Sequence, residues 1–143
     1  MDSDGQHLPE EIPKLLHTLK IEEKDMVIGS RFKGILKTSL INRFGNIFIN
    51  FLSLVLTGKW FSDIESGFRA FIAKKLYDLN LNATYFEIEF ELLIKSIHRD
   101  FKITEVPITI SKSIPGITIL DGVKIVLFVI KKGLMMKLGR YRL

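Results

Sequence analysis

The sequence predicts a mixed α/β domain. Two observations carry that expectation. Apolar residues recur at helical spacing in several separate stretches. Two runs, Met26-Val27-Ile28 and Lys102–Ile110, are short, apolar and rich in β-branched residues, as strands are. With 47% of its 143 residues hydrophobic, the chain can build one core of ordinary size and does not have the composition of a disordered segment.

Met1–His7 is polar and acidic and reads as a loop. Pro9 suits a first helical turn, and Glu10 and Glu11 favour the positive end of a helix dipole. Ile12, Leu15, Leu16 and Leu19 follow at helical spacing, so Pro9–Leu19 is expected to be an amphipathic helix that tolerates Pro13 near its start. Met26-Val27-Ile28 reads as a buried strand running into a Gly29-Ser30-Arg31 loop.

Thr38–Thr57 is the longest expected helix. Leu40, Ile41, Phe44, Phe48, Phe51, Leu52 and Val55 form one stripe, widened by Ile47, Ile49, Leu54 and Leu56. A helix this apolar is either deeply packed or laid against lipid. Gly58 stops it. Beyond it, Asp63–Ala70 reads as a loop, Phe68–Ile72 as a short strand and Lys74–Leu79 as a short helix. Phe86–Ile97 reads as a helix with Phe86, Phe90, Leu93 and Ile97 on one face. Lys102–Ile110 is extended, and Pro107 places it at an edge or a break. Thr118 or Asp121 caps a last helix running to Lys137.

Charge narrows the possible partners. The net charge is +5, and Gly122–Leu143 holds Lys124, Lys131, Lys132, Lys137, Arg140 and Arg142 without one acid. The rest of the chain is close to neutral, so the basicity favours a local anionic partner such as an anionic membrane surface. A solvated helix face with a basic tail is the plainer account. Nucleic acid is not expected, because aromatic residues are not interleaved with the cations as a stacking platform requires. The chain has no cysteine, which removes disulfides and thiolate metal sites. The acidic, polar start lacks a signal-peptide pattern, and no run reaches roughly 18 uninterrupted apolar residues.

Candidate chemistry begins with Asp2-Ser3-Asp4-Gly5-Gln6-His7. Two carboxylates one residue apart on a Gly-containing loop can face one hard cation, with the remaining positions left to water and substrate phosphate. Taken alone, two acids near a terminus are more simply solvated. The histidines His7, His17 and His98 lack metal-ligand spacing, and no Ser/His/Asp or Cys/His arrangement is present. Glu87, Glu89 and Glu91 are expected to splay over a solvated helix surface. Trp60 and Phe61 suit either core packing or a membrane interface.

The motifs in their order resemble a known family. Asp2-Ser3-Asp4-Gly5-Gln6-His7 with Leu8-Pro9-Glu10-Glu11-Ile12-Pro13 is similar to the metal-binding segment of family-two glycosyltransferases, in particular the dolichyl-phosphate mannose and glucose synthases. Val27-Ile28-Gly29-Ser30-Arg31-Phe32, Asn42-Arg43-Phe44-Gly45-Asn46 and Asp63-Ile64-Glu65-Ser66-Gly67-Phe68-Arg69-Ala70-Phe71 resemble further segments of that family. Phe86-Glu87-Ile88-Glu89 and Glu105-Val106-Pro107-Ile108 resemble two more. Each motif is weak alone; their shared order from Asp2 to Lys132 gives the resemblance its weight.

The resemblance implies a partial GT-A fold, the acceptor-side half, and transfer of a sugar from a nucleotide sugar to polyprenyl phosphate. It implies that Asp2, Asp4 and Gln6 sit at Mg²⁺ or Mn²⁺ and the donor diphosphate. Arg31 would bind the acceptor's phosphate, Asp63 would act at the catalytic centre, and Ser66 and Gly67 would shape the pocket between donor and acceptor. Arg69 would contact an anion or, more simply, pair with an acid; His7 is a lesser candidate for the donor site. The implied location is cytoplasmic, peripheral at the inner face of the membrane.

Two departures from the family pattern bear on activity. Relatives carry a run of alternating strands and helices before the Asp-x-Asp segment that binds base and ribose, whereas here Met1 directly precedes Asp2. The 143 residues alone are therefore expected to be inactive. Relatives also often carry Arg near the start of the long helix and a basic Gly-x-Ser-Lys segment before the last one. Lys37-Thr38-Ser39 and Ser113-Ile114-Pro115-Gly116-Ile117-Thr118-Ile119 stand there instead. The rival reading is a non-catalytic membrane-surface or interaction module derived from the same fold, and metal-dependent sugar-nucleotide binding separates the two.

Overall fold

The computed structural model describes residues 5–33, 40–82 and 88–111, together with 127, 130 and 131; the side chains of 40–46 and 52 are not described. Asp2, Asp4, the Phe86-Glu87 pair and most of the expected last helix lie outside these residues.

The order of elements is a 3₁₀ turn (Pro9–Glu11), α1 (Ile12–Ile21), β1 (Met26–Ser30), α2 (Leu40–Thr57), β2 (Arg69–Phe71), α3 (Ala73–Tyr77), α4 (Ile88–His98) and β3 (Ile103–Pro107). The described sheet has three strands in the order β2-β1-β3. β2 pairs antiparallel to β1, with Val27 opposite Ala70, and β3 pairs parallel to β1, with Ile28 opposite Glu105. Pro107 is the last residue of β3, on the strand that borders the described sheet, where its missing N–H costs least.

All five residues of β1 are buried, as a central strand covered on both faces requires. Its side chains alternate between two cores. Met26 and Ile28 pack with Ile49 of α2, Phe61, Ile64, and Phe90, Leu93 and Ile94 of α4. Val27 faces the other side, with Leu15 of α1, Phe68, Val106 and Ile108. Gly29 follows on that second face, and its backbone N–H donates to Phe68 O at 2.8 Å. A Cβ there would lie 2.8 Å from Phe68 Cδ1 and 2.9 Å from Ile108 Cγ2, so only glycine lets the two side chains close over the strand.

The helices leading into the two parallel strands end in the same way. Glu23 after α1 and Asp100 after α4 take left-handed φ values of 48° and 54°. In each case the next N–H reaches back five residues, Lys24 to Leu19 O and Phe101 to Ser96 O. This is the Schellman closure, and it turns the chain directly from helix into strand. Asp25 then fastens the two strand starts together. Its N–H donates to Lys102 O at 2.9 Å and its carboxylate accepts Lys102 N–H at 2.8 Å. Lys75 of α3 adds an ion pair to Asp25 at 2.7 Å while lying over the Phe101 ring. Burial raises the Asp25 pKa, but the hydrogen bonds and charges of Lys75 and Lys102 outweigh it and hold the carboxyl below its ordinary value.

Several expectations are refined. α1 buries Leu15 and Thr18, while Ile12 and Leu16 face solvent, because the helix touches the sheet along a narrow stripe. Glu91 is not a solvated residue of α4. It is 2% exposed and pairs with the equally buried Lys95 at 3.2 Å, one helical turn on. Both members also hold the chain entering α4, Glu91 by accepting Asn82 N–H and Lys95 by donating to Asn80 O. Phe61 joins the core, and Trp60 stays half exposed.

Candidate functional site

The parallel strands β1 and β3 place their carboxyl ends side by side, the position where open α/β sheets present ligand-binding loops. Four charged side chains meet there. Arg31 leaves β1 on a bend and lies against Asp63 of the loop after α2. Its Nε and a terminal guanidinium nitrogen donate to the two carboxylate oxygens, each at 2.8 Å. Its main-chain N–H adds a third bond to Asp63 at 2.9 Å. The carboxylate side chain is fully buried, whereas that of Arg31 is 24% exposed.

Glu105 of β3 sets the Asp63 loop in place. It accepts the N–H groups of Ser62 and Asp63 at 2.8 and 3.1 Å and the Ser62 hydroxyl at 3.0 Å. Lys33, on the same bend as Arg31, makes an ion pair with Glu105 at 3.2 Å. The Ser30 hydroxyl ties these groups to the strand end, meeting Ser62 Oγ at 2.6 Å and accepting Lys33 N–H at 3.2 Å. Asn50, buried in the middle of α2, donates to Ser62 O at 2.7 Å.

The rest of the loop is held as firmly. The buried Ser66 hydroxyl donates to Gly29 O at 2.6 Å and accepts Phe68 N–H at 3.3 Å. Gly67 joins this turn to Phe68, whose ring packs over Gly29. Arg69 donates to the backbone carbonyls of Ser66, Ile64 and Glu89, so the contacts described for it serve the loop and the start of α4. Neither role expected for Arg69, an anion contact or a pairing with an acid, includes these carbonyl contacts.

The amino-terminal segment runs to the same end of the sheet. His7 forms a bridge with Ile110, and Gln6 O accepts Ser111 N–H at 2.9 Å. The His7 ring is buried and stacks on Phe68 with centroids 4.9 Å apart. His7 is thereby brought against Phe68, at the end of the loop that carries Asp63, Ser66 and Gly67, while Gln6 meets Ser111 beyond β3. Asp2 and Asp4, just upstream, lie outside the described residues. Among the described residues no three His, Asp or Glu side chains are grouped as a metal ion needs. The expected donors, two carboxylates and an amide oxygen, are the hard oxygen ligands that Mg²⁺ or Mn²⁺ takes.

Sequence reasoning gave no role to Lys33, Asn50, Ser62 or Glu105. Two of them left a signal. Asn50 is a lone amide inside the apolar run Ile47–Leu56, and a buried amide needs partners. Glu105 is an acid within a β-branched strand. Lys33 and Ser62 left none, since nothing local distinguishes them from surface residues.

Several proteins of other organisms are similar to this chain. A UDP-N-acetylglucosamine–dolichyl-phosphate N-acetylglucosaminyltransferase of Methanococcus voltae is 32% identical over 97% of this chain and 57% of its own length. An uncharacterized protein of Methanocaldococcus jannaschii is 37% identical over 75% of the chain and 46% of its own length. A polyprenol monophosphomannose synthase of Mycolicibacterium smegmatis is 29% identical over 85% of the chain and 48% of its own length. The chain thus spans about half the length of the curated relatives it matches. Residues 1–79, which contain the Asp-x-Asp segment, Arg31 and the Asp63 loop, match the sequence family described as glycosyl transferase family 2. With the broad agreement of its relatives added to that match, the chain belongs to glycosyl transferase family 2.

Proposed function

We propose that this chain provides the acceptor side of a glycosyltransferase that moves a sugar from a nucleotide sugar to a polyprenyl phosphate. The observation that carries the reading is the guanidinium of Arg31, aligned by Asp63 at the carboxyl end of β1 and still partly open to solvent. Guanidinium forms paired bonds to oxyanions, so a side chain fixed in this way suits the phosphate of a lipid acceptor. The reading is supported by relatives named as dolichyl-phosphate and polyprenol-phosphate enzymes.

The chemistry asks little more of the protein. A lipid monophosphate is already an oxyanion near neutral pH, so its attack on a sugar carbon needs positioning and charge neutralisation more than a general base. Asp63 would serve the centre by fixing Arg31, and Ser66 and Gly67 by holding the loop against β1. Asp2, Asp4 and Gln6 would hold Mg²⁺ or Mn²⁺. Such a cation neutralises the charge that develops on a departing diphosphate.

The setting would be the membrane surface, on its cytoplasmic face. Among the described residues no helix is long and apolar enough to cross a membrane. α2 nevertheless exposes Ile47, Phe48, Phe51 and Val55, and Trp60 follows it. Leu127 and Ile130 are exposed three residues apart beside Lys131. Apolar faces of this kind next to basic residues suit shallow insertion into an anionic leaflet.

Calorimetric titration with geranyl phosphate tests the reading. Binding that weakens in Arg31→Lys, which keeps the charge but loses the paired bonds, supports it. Absence of binding by the wild-type chain would leave the non-catalytic surface module as the better account.

A further inference from the structure

We infer that Lys33 is a second phosphate ligand, acting with Arg31 on a phosphate monoester. The inference rests on the acceptor-side reading given above and goes beyond it by assigning a residue and a charge count to the site.

Arg31 and Lys33 lie two residues apart on one bend, and the bend is fixed by the bond from Lys33 N–H to Ser30 Oγ at 3.2 Å. Each cation is paired with a different carboxylate, Arg31 with Asp63 at 2.8 Å and Lys33 with Glu105 at 3.2 Å. The two carboxylates belong to one network, since Glu105 accepts the N–H of Asp63 itself. The four charges are layered. The acid side chains are 0% and 6% exposed, and the basic ones are 24% and 47% exposed. An anion approaching from solvent therefore meets two cations before it meets either acid.

A solvated ion pair is the plain account of an exposed lysine beside a glutamate, and such pairs contribute little to stability. Glu105 does not fit that account. Its carboxylate already accepts two main-chain N–H groups and a hydroxyl, which fill three of its roughly four acceptor sites before Lys33 is considered. What the ammonium adds is positive charge at a fixed place. An ammonium has three donors, so a bond to Glu105 does not use up its capacity to bind an oxyanion. A phosphate monoester carries close to two negative charges near neutral pH, more than one guanidinium balances. A second cation held on the same bend supplies the difference.

The test uses the 143-residue chain, titrated with geranyl phosphate, inorganic phosphate, uridine diphosphate and geraniol. Lys33→Ala is expected to weaken geranyl phosphate by about tenfold, as befits one charge-assisted hydrogen bond, and to flatten the salt dependence of binding. Lys33→Arg is expected to restore most of the loss. The exposure of Lys33 means that both variants should melt as the wild type does, which circular dichroism checks. A parallel loss for inorganic phosphate shows that the phosphate group itself is recognised, and tighter binding of geranyl phosphate than of inorganic phosphate identifies the lipid ester as its source. If Lys33→Ala weakens uridine diphosphate and leaves geranyl phosphate unchanged, the lysine serves the donor and the inference is overturned. If Arg31→Lys weakens geranyl phosphate and Lys33→Ala does not, this inference falls while the acceptor-side reading stands. No binding of geranyl phosphate by the wild type overturns both.

Discussion

Asp63 receives three hydrogen bonds from Arg31, two from its guanidinium and one from its main-chain N–H, across a sequence separation of 32 residues. The carboxylate side chain is fully buried and the guanidinium is not. That asymmetry fixes the order of two mutational effects. Arg31→Ala leaves a buried charge without its main partner and is expected to cost about 3 kcal/mol. Asp63→Ala frees a cation that can turn to solvent, and about 2 kcal/mol is expected for the lost bonds. Urea denaturation measures both, and a larger cost for Asp63→Ala would contradict the burial argument.

Gly29→Ala tests the closure of Phe68 and Ile108 over β1. The new methyl would sit inside contact distance of both side chains and 3.1 Å from Phe68 O, which is backbone and cannot swing away. Overpacking of this kind costs about 1–3 kcal/mol. The displacement of Phe68 should also disturb the stacked His7 ring. A lowered thermal midpoint together with shifted His7 ring resonances is expected; an unchanged midpoint would mean that the second core is loosely packed.

The Asp25 clasp predicts a pH dependence. Its folded pKa is lowered, because bonds and charges from Lys75 and Lys102 outweigh a burial effect that acts in the opposite direction. A lowered folded pKa gives stability that is fully present above the unfolded value, about 3.9, and is lost as pH falls through the folded value. Asp25→Asn should therefore be less stable than wild type at neutral pH, with the gap closing as acid protonates the wild-type carboxyl. Denaturation curves at a series of pH values measure the gap. A gap that is the same at neutral pH and below the folded pKa would show that the charge of Asp25 is not what stabilises the strand starts.

Binding to anionic vesicles should have two separable parts. Salt should weaken the part due to basic residues, since their attraction is screened within about 10 Å at 0.1 M salt. Neutralising Lys131, Lys132, Lys137, Arg140 and Arg142 together should remove most of it. Phe48→Ser with Phe51→Ser should reduce the salt-resistant part, because both rings are exposed on α2 and touch the acyl boundary in the proposed orientation. Vesicle flotation reads both. Binding that ignored lipid charge as well as the basic residues would remove the electrostatic argument.

Glycosyl transfer by the 143 residues alone should be undetectable with nucleotide sugars, Mg²⁺ or Mn²⁺ and polyprenyl phosphate. The motive is that the chain spans about half the length of its curated relatives. Robust turnover by the purified chain would refute it.

Much of the local structure follows from sequence alone. The period of Leu15 and Leu19, the β-branched character of β1 and β3, the stop at Gly58 and the break at Pro107 are local preferences, and each element forms within a few residues of where those preferences place it. The Ser66-Gly67 turn and Arg31 were legible as a family pattern. What the sequence could not contain is partnership across distance. Whether Glu91 meets solvent or Lys95 depends on what covers α4, and Glu105 gains its partners only when the Asp63 loop folds over it. Buried charges take their partners from wherever the topology delivers them, because desolvation penalises the unpaired ion whatever its place in the chain. The tertiary structure alone therefore decided that Arg31, Lys33, Asp63 and Glu105 form one cluster at the end of β1.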